Sequence, residues 1–378
     1  MRSQRGRETG KCLRLALLAC GLALVAFPQK LAFPQKQKKE ENQVLQLPRE
    51  LPAVVEGDTR HLTFYVTPLS SKGLLSPQIR DALSALTHQA KGETILKIRA
   101  FVAGSGDSRR VRDLVSEVFT DRKQPLPVLS LVQAGGLPEG AQVVLEAIAA
   151  ARKEVNPQGL AFVSAQPASA DDPTGPVAPL ADRSLAALGQ AVTAAGSQAA
   201  DAVRVSCFLS SLDGLAAIRQ RVAHDYPNAA ADFVQPQRSP AHALAACEAV
   251  AKLRRDPGAQ LKLMNSPALE NVAGASDIAL VASPKVVLTG TQVSFGFEEN
   301  DARLAFQRLS KALEQAGASL HDVAFAHFYP LAAGLATQVR KVRGDFFDSA
   351  HPPASSLLLF EGLPSMNAGF AVDVVAVK

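Results

Sequence analysis

LPEGAQVVLEAIA at Leu137–Ala149 is the stretch that decides the fold, because its pattern returns twice along the chain. In each copy a turn rich in Pro, Gly or Ser leads into a final run of strand-forming residues. The later copies read SPAHALAACEAV at Ser239–Val250 and LPSMNAGFAVDVV at Leu363–Val375. Each copy closes a segment of about the size of a small domain. The sequence therefore predicts three copies of one unit, with an acidic residue at the same place in each last strand: Glu146, Glu248 and Asp373.

The same order of elements is predicted in each unit: strand, helix, strand, helix, strand, strand. In unit one, the strand-like runs His61–Val66 and Ile95–Val102 flank a helical apolar stripe at Ser76–Ala90. In unit three the predicted helices span Asp301–Ala316 and Leu335–Phe347. This order indicates an α+β fold with helices on one face of each sheet. Three copies in one chain can bury their open faces against each other.

Length and composition fit a folded protein of two to three domains. The chain has 378 residues, of which 47% are hydrophobic and 20% charged. Its net charge of +5 owes much to an N-terminal cluster of basic residues: Arg2, Arg5, Arg7, Lys11 and Arg14. The basic balance is therefore no evidence for a nucleic-acid-binding face.

The N-terminus has the pattern of an export signal. Basic residues precede the apolar run Leu13–Phe27, whose length suits a signal peptide better than a membrane span. The residues before Cys20 resemble a bacterial lipobox, and an uncleaved membrane anchor is the alternative. We expect a signal or anchor at 1–27, a disordered tether at 28–55, and an exported bacterial protein that is periplasmic or membrane-anchored.

Two cysteines, Cys207 and Cys247, lie in apolar runs of unit two. They could pair in an oxidising compartment. We interpret them as buried free thiols, because burial is the default for cysteine and the sequence fixes no geometry between them.

Several longer motifs resemble the Rid family, the reactive intermediate deaminases also called the YjgF family. Unit three carries the fullest match, in Asn265–Gln292, in Ala312–Tyr329, and in HPPASSLLLFEGLP at His351–Pro364. Unit two matches through LAFVSAQ and QRSPAHALAACEAVA, and unit one mainly through LPEGAQVVLEAIAA. The resemblance covers nearly all of the chain after about His61.

The resemblance implies three tandem Rid-like (chorismate-mutase-like) domains, which we place at 56–153, 154–255 and 262–378. Rid proteins are typically homotrimers with a ligand cleft between neighbouring subunits, so one chain is expected to form a monomeric pseudo-trimer. The family hydrolyses imines and enamines derived from amino acids and needs no metal or cofactor. We accordingly expect no cofactor here, and no metal-binding spacing is readable.

The residues that carry the family's chemistry are replaced. The family's arginine, which binds the substrate carboxylate, matches Leu129, Ala231 and Ser355 in the three units. Its glutamate matches Val144, Ala246 and Ala371. Glu146, Glu248 and Asp373 match a different, non-catalytic acidic position. Ordinary imine deamination is therefore not expected from these positions.

Three arginines at corresponding places could take over ligand binding. Arg112, Arg219 and Arg340 each stand seven residues before the aromatic residue that ends the second helix of their unit. The matched family position faces the cleft, so we hypothesise that these arginines hold an anionic ligand; a solvated helix-face arginine is the alternative. Thr289, Gly290 and Ser355 complete the candidate ligand-binding residues, since they match the family's ligand-facing turn and arginine position.

Three functions remain open at this stage. The first is a divergent Rid protein that binds a small anionic metabolite, the second an imine deaminase or hydrolase with a rearranged site, and the third a non-catalytic assembly protein. His327, Tyr329 and His351 could do acid–base work, but packed or surface residues are the favoured interpretation. No basic–aromatic strand face is readable, so nucleic acid is not an expected partner, and the membrane is expected only through the leader.

Overall fold

The computed structural model describes residues 48–104, 106–269 and 273–378. The predicted signal or anchor at 1–27 and most of the predicted tether lie outside the described residues. Among the helices that are described, none is long and apolar enough to cross a membrane.

The chain builds three sheets with helices between their strands. The strands of the first part are β1 (Val54–Gly57), β2 (Leu62–Val66), β3 (Thr94–Ala103), β4 (Val128–Ala134) and β5 (Val143–Ala150). Then follow β6 (Leu160–Ala170), β7 (Ala202–Leu209), β8 (Ala230–Val234), β9 (Ala243–Lys252), β10 (Leu261–Met264) and β11 (Ile278–Val281). The last are β12 (Val286–Thr289), β13 (Gln292–Phe295), β14 (Val323–Pro330), β15 (Ala354–Leu357) and β16 (Ala368–Val377). The α-helices are α1 (Leu75–Gln89), α2 (Arg109–Asp121), α3 (Ala178–Ala194), α4 (Leu215–Asp225), α5 (Glu299–Gln315) and α6 (Ala333–Val342).

The three sheets share one strand order. Sheet one runs β2-β5-β3-β4, sheet two contains β6-β9-β7-β8, and sheet three contains β12-β16-β14-β15 with β13 also on β16. In each sheet the last two strands are parallel and the others antiparallel. Each of these parallel pairs is joined by a crossover helix, α2, α4 or α6, as a parallel connection requires. The predicted α+β fold with a repeated unit is therefore observed at the level of the sheets.

The helices cover one face of each sheet, and the other faces pack together. Each unit has its own apolar core between sheet and helices. On the helix-free side, Phe101 of sheet one, Phe208 of sheet two and Phe360, just after β15, contact each other with ring centroids 5.9–6.0 Å apart. A second shared cluster joins Leu62, Phe162 and Phe325, one from each sheet. The open faces are thus buried against each other, as aromatic packing of this kind favours.

Three strands extend the sheet of another unit. Strand β1 pairs antiparallel with β12 of sheet three, with Val55 opposite Leu288. Strand β11 pairs with β6, and β10 pairs with β11, so both extend sheet two. The structure differs here from the predicted tether at 28–55, because Val54 and Val55 belong to a paired strand. Leu51 is buried in the core of unit one, so its burial and the ladder of β1 offset the cost of ordering these residues.

Cys207 and Cys247 form a disulfide, which corrects the interpretation as free thiols. The two residues face each other across the antiparallel pair β7–β9, with Cα atoms 4.1 Å apart. Sequence alone could not show this, because forty residues separate them and the register of the two strands decides whether they meet.

Candidate ligand-binding site

Strand register identifies the equivalent positions of the three units. Glu146 lies opposite Arg99, Glu248 opposite Ser206, and Asp373 opposite His327. Because the helix-free faces meet, these side chains come together from all three sheets. They form a buried group that we call the central polar cluster: Lys97, Arg99, Glu146, Arg204, Ser206, Glu248, His327, Tyr329, Ser356 and Asp373.

Glu248 is the most connected member of the central polar cluster. Its Oε1 accepts hydrogen bonds from Arg99 Nη2 at 2.8 Å and Arg204 Nη2 at 2.9 Å, and it lies 3.0 Å from His327 Nε2. Its Oε2 accepts from the Ser356 hydroxyl at 2.6 Å. One carboxylate therefore holds donors from sheets one, two and three together.

Glu146 and Asp373, the other two acids of the cluster, also have charged hydrogen-bond partners. Arg99 donates to both oxygens of Glu146, at 2.6 and 2.7 Å, in the two-pronged geometry that favours arginine over lysine. Asp373 accepts from the Lys97 ammonium and, at 2.8 Å, from the Tyr329 hydroxyl. His327 Nδ1 lies 3.3 Å from Asp373 Oδ1. The cluster thus pairs buried charges with hydrogen bonds rather than exposing them to a ligand.

These contacts decide the ionisation of the acids. Burial by itself would raise the pKa of Glu146, but the charges of Arg99 and Arg204 lower it to about 2. Burial opposes ionisation of Glu248 as well, yet His327 and Arg99 hold its pKa well below the usual range. For Asp373, burial is again overcome, here by Lys97 and His327, and the pKa is lowered. All three acids are carboxylates at neutral pH.

Asp232 is the exception among the buried acids. It lies on β8 opposite Ser206, and its buried carboxyl stands beside the Ser206 hydroxyl and the Glu146 carboxylate. Burial and the charge of Glu146 raise its pKa well above the usual range. Its neutral form is therefore favoured, which distinguishes it from the paired acids of the cluster.

Arg112 lies in a cleft between units three and one, which we call the basic cleft. The cavity measures about 560 Å³. Leu129 and Leu131 of β4 are part of its lining, and so are Arg109, Arg112 and Arg308, with Glu50 and Asp113 as the acidic members. Arg112 is exposed, and its Nη2 lies 3.7 Å from Glu50 Oε1. Leu129, which stands at the family's arginine position, does lie in this cleft.

Gly290 and Thr289 have structural contacts of their own. A Cβ on Gly290 would stand 2.8 Å from the Leu129 carbonyl oxygen, so only glycine permits this approach of two backbones. The amide of Gly290 donates to Ala53 O, and that of Thr291 to Leu129 O. The hydroxyl of Thr289 is buried and accepts from the amide of Val374 at 2.9 Å. Gly290 borders the basic cleft, whereas Thr289 lies inside sheet three.

Arg219 lies in a second cavity, between units one and two, which we call the mixed cleft. It measures about 460 Å³ and is lined by residues of both units, among them Val144 and Ala231. Arg219 Nη1 lies 2.6 Å from Glu139 Oε1, and its guanidinium stands over the Phe233 ring. Glu139 adopts φ 60°, a left-handed conformation that is uncommon for a residue other than glycine. Asp232 also borders this cleft.

The corresponding interface between units two and three is occupied by a segment of the chain itself, residues 273–277. The amide of Ser276 donates to Pro353 O, and Arg343 Nη2 donates to Ala273 O at 2.8 Å. Burial and neighbouring Arg340 lower the pKa of Arg343 to about 10. Arg340 is exposed on α6, Ser355 is half-buried on β15, and neither lines the basic or the mixed cleft. The six predicted ligand-binding residues are therefore not brought together at one site.

The central polar cluster is the feature that sequence reasoning missed. Lys97 and Arg99 alternate with apolar residues in β3, and Arg204 does so in β7, which suggests a solvated strand face. A strand face that packs against two other sheets can instead bury these basic side chains, provided that carboxylates pair with them. His327 and Tyr329 are packed, as favoured above, while His351 is exposed beside Asp348. No group of three or more metal-ligating side chains occurs among the residues that the structure describes.

Comparisons with known proteins identify similar structures. No protein-family model matches the chain, and no curated protein matches it. A solved YjgF/YER057c/UK114-family protein from Mycobacterium tuberculosis is similar at 22% identity, covering 31% of this chain and 99% of its own, with a TM-score of 0.24. A Rid-family protein from Yersinia pestis is similar at 17% identity, covering 32% and 100%, with a TM-score of 0.30. A YjgF-family protein from Neisseria meningitidis is similar at 13% identity, covering 31% of this chain and 94% of its own, with a TM-score of 0.24.

Each of these structures covers about a third of the chain, the length of one unit. The three sheets of this chain share one strand order, as repeated units would. In its motifs, and in the solved structures to which it is similar, this chain resembles the Rid (YjgF) family.

Proposed function

We propose that the chain is a divergent Rid-like protein whose three units form an intrachain pseudo-trimer, and whose basic cleft binds a small anionic metabolite. The observation that carries the proposal is the placement of Arg109, Arg112 and Arg308 around one cavity with an apolar side at Leu129 and Leu131. Arginines outnumber the two carboxylates of the lining, Glu50 and Asp113.

The size and chemistry of the basic cleft fit this ligand class. A cavity of about 560 Å³ is within the range of small-molecule sites. The family's arginine position is occupied by Leu129, so Arg112 would meet the anion from the opposite, helical wall. Arg308 stacks on the Phe295 ring and donates to Val293 O, which fixes its guanidinium at the cleft. A planar anion such as a carboxylate would find paired N–H donors there.

Ligand-dependent melting tests this proposal. The full chain is heated with increasing concentrations of pyruvate, benzoate or inorganic phosphate at constant ionic strength, and Tm should rise with the logarithm of the anion concentration. Arg112→Glu should remove the dependence, because the variant places a carboxylate where the anion would bind. Arg110→Glu, on the same helix but outside the cavity lining, is the matched control and should keep it. A dependence that survives Arg112→Glu would contradict the proposal.

Arg219→Glu and Arg340→Glu extend the test to the other two candidate arginines. In the mixed cleft, Glu139 already neutralises Arg219, and Arg340 lies outside both clefts. We expect both variants to bind the anions like the unaltered chain. Loss of binding in either one would move the site to that residue.

The second candidate function is imine hydrolysis in the mixed cleft. The observation that favours it is the combination of Arg219, which could bind a substrate carboxylate, with Glu139 and the buried Asp232, two groups capable of proton transfer. An amino-acid oxidase would generate the 2-imino acids, and their hydrolysis would be followed with and without the protein. Turnover that Glu139→Gln removes would support the enzyme. No turnover over a broad set of imines would leave the binding function.

Export is proposed from the N-terminal pattern. The disulfide Cys207–Cys247 supports it, because disulfides persist in oxidising compartments. Fractionation of the producing cell, with mass spectrometry of the mature N-terminus, would show both the compartment and the cleavage point.

A further inference from the structure

A small cavity lies inside the central polar cluster, apart from both clefts. Its volume is about 20 Å³, which is the space of one occupant of the size of a water molecule. Its polar lining consists of Lys97, Arg99, Arg204, His327 and Glu146, so basic groups outnumber the acid by four to one. The remaining lining is apolar and includes the rings of Phe162 and Phe325. This composition favours a negatively charged occupant.

Buried donors at this cavity lack acceptors. Within the described residues, Arg99 Nη1 and Arg204 Nε have no hydrogen-bond partner, although both atoms are inaccessible to solvent. All other nitrogens of these two guanidinium groups donate to carboxylates. A buried N–H without an acceptor is unfavourable, and it points to an acceptor that the protein itself does not supply.

The basic groups of the cluster outnumber its paired carboxylates by one. His327 faces a carboxylate with each ring nitrogen, Asp373 at Nδ1 and Glu248 at Nε2. Lys97, Arg99, Arg204 and His327 are four basic groups, and they face three carboxylates: Glu146, Glu248 and Asp373. Burial lowers the pKa of Lys97, and the neighbouring Asp373 opposes this shift. Asp232 does not balance them in its favoured neutral form. An uncompensated buried charge is costly, whereas a bound monovalent ion of opposite sign removes the imbalance.

We propose that the central polar cluster binds one small monovalent anion, of the size of chloride, between Arg99 Nη1 and Arg204 Nε. A water molecule could also accept from these donors, but it would not balance the charge. The site uses no residue of either cleft, and so it does not depend on the proposed metabolite-binding function. Its ligand would be an inorganic ion that links Arg99 of sheet one to Arg204 of sheet two.

Bromide provides the direct test, because it replaces chloride and gives an anomalous X-ray signal. The full chain is unfolded, refolded in sodium bromide and crystallised from the same salt. We expect an anomalous peak within hydrogen-bond distance of both Arg99 Nη1 and Arg204 Nε. A peak without anomalous signal at that place would identify water and overturn the proposal. Bromide found only in the clefts would overturn it equally.

Thermal unfolding provides a second test that needs no crystal. Tm is measured in chloride and in gluconate at equal ionic strength, since gluconate is too large for the cavity. We expect Tm to rise with each tenfold increase in chloride. His327→Gln removes one of the four basic groups and should abolish the rise, whereas Lys91→Gln, an exposed lysine replaced in the same way, should retain it. A Tm of the unaltered chain that is equal in both salts would contradict the proposal.

Discussion

Asp232 is a single residue that affects the free energy of unfolding of the chain. Its carboxyl is buried on β8, the edge strand of sheet two, beside the carboxylate of Glu146. Its pKa is raised in the folded chain, by burial first and by the charge of Glu146 second. Above the pKa of the unfolded chain, folding must therefore keep a proton that the unfolded chain releases. Asp232 lowers the free energy of unfolding at neutral pH.

Replacing Asp232 by asparagine should reverse this loss. The folded chain favours the protonated carboxyl of Asp232. Its contribution to the free energy of unfolding is therefore fully present below the usual aspartate pKa of about 4 and is lost as pH rises above that value. We expect Asp232→Asn to unfold at higher urea concentration than the unaltered chain at pH 7, and at about the same concentration at pH 3. Asp213→Asn, an exposed change, serves as the control. A variant that is less stable at pH 7 would show that the carboxylate is needed in the fold.

At the scale of elements, local sequence patterns predicted those strands and helices whose partners are close in the chain. The predicted helix Ser76–Ala90 is observed at Leu75–Gln89, and the predicted strand Ile95–Val102 at Thr94–Ala103. Strand β1 was not predicted, because its partner β12 follows more than two hundred residues later. The strand predicted before the last one of each unit is observed in unit two as the short edge strand β8, AADFV.

Contacts between residues that are far apart in the sequence also explain why the candidate site was predicted only in part. Arg112 and Arg219, which were selected by helix spacing, line the basic and the mixed cleft. Arg340 has the same spacing, yet residues 273–277 cross the interface beside its helix. Lys97 meets Asp373 and Arg99 meets Glu248 over 276 and 149 residues of sequence. Such pairs depend on how three sheets pack together, which no local periodicity records.

The disulfide between β7 and β9 is an element-scale feature with a measurable contribution. It joins two buried central strands and closes a long loop of the unfolded chain. Reduction should lower the free energy of unfolding by about 2–4 kcal/mol. Urea denaturation with and without reductant measures the difference. The double variant Cys207→Ala, Cys247→Ala should be insensitive to reductant, and an unaltered chain equally stable in both conditions would contradict the expectation.

At the scale of the whole molecule, the central polar cluster makes the three sheets depend on each other. Glu248 alone accepts hydrogen bonds from Arg99, Arg204 and Ser356, which belong to three different sheets. A buried charged group that loses its partner destabilises strongly, and here the loss would reach every unit at once. We therefore expect the described body to unfold in one cooperative transition.

Glu248→Gln tests this coupling. We expect a loss of about 3–5 kcal/mol in the free energy of unfolding, because Arg99, Arg204 and His327 remain buried without the charge they meet. Calorimetry and circular dichroism should still report one transition, shifted to lower temperature. Glu117→Gln, which removes the exposed pair with Arg80, should cost less than about 1 kcal/mol. A separate early transition of one unit would contradict the coupling.

The three sheets place different side chains at equivalent positions of the cluster: Arg99, Ser206 and His327 on the central strands. A ring of three identical units would bring three copies of Arg99, or three of His327, to the same centre. Like charges repel there, whereas the single chain sets cations against carboxylates from its other units. We therefore expect that a unit cut from this chain would not assemble with copies of itself, because it would lose the partners that the other two units supply.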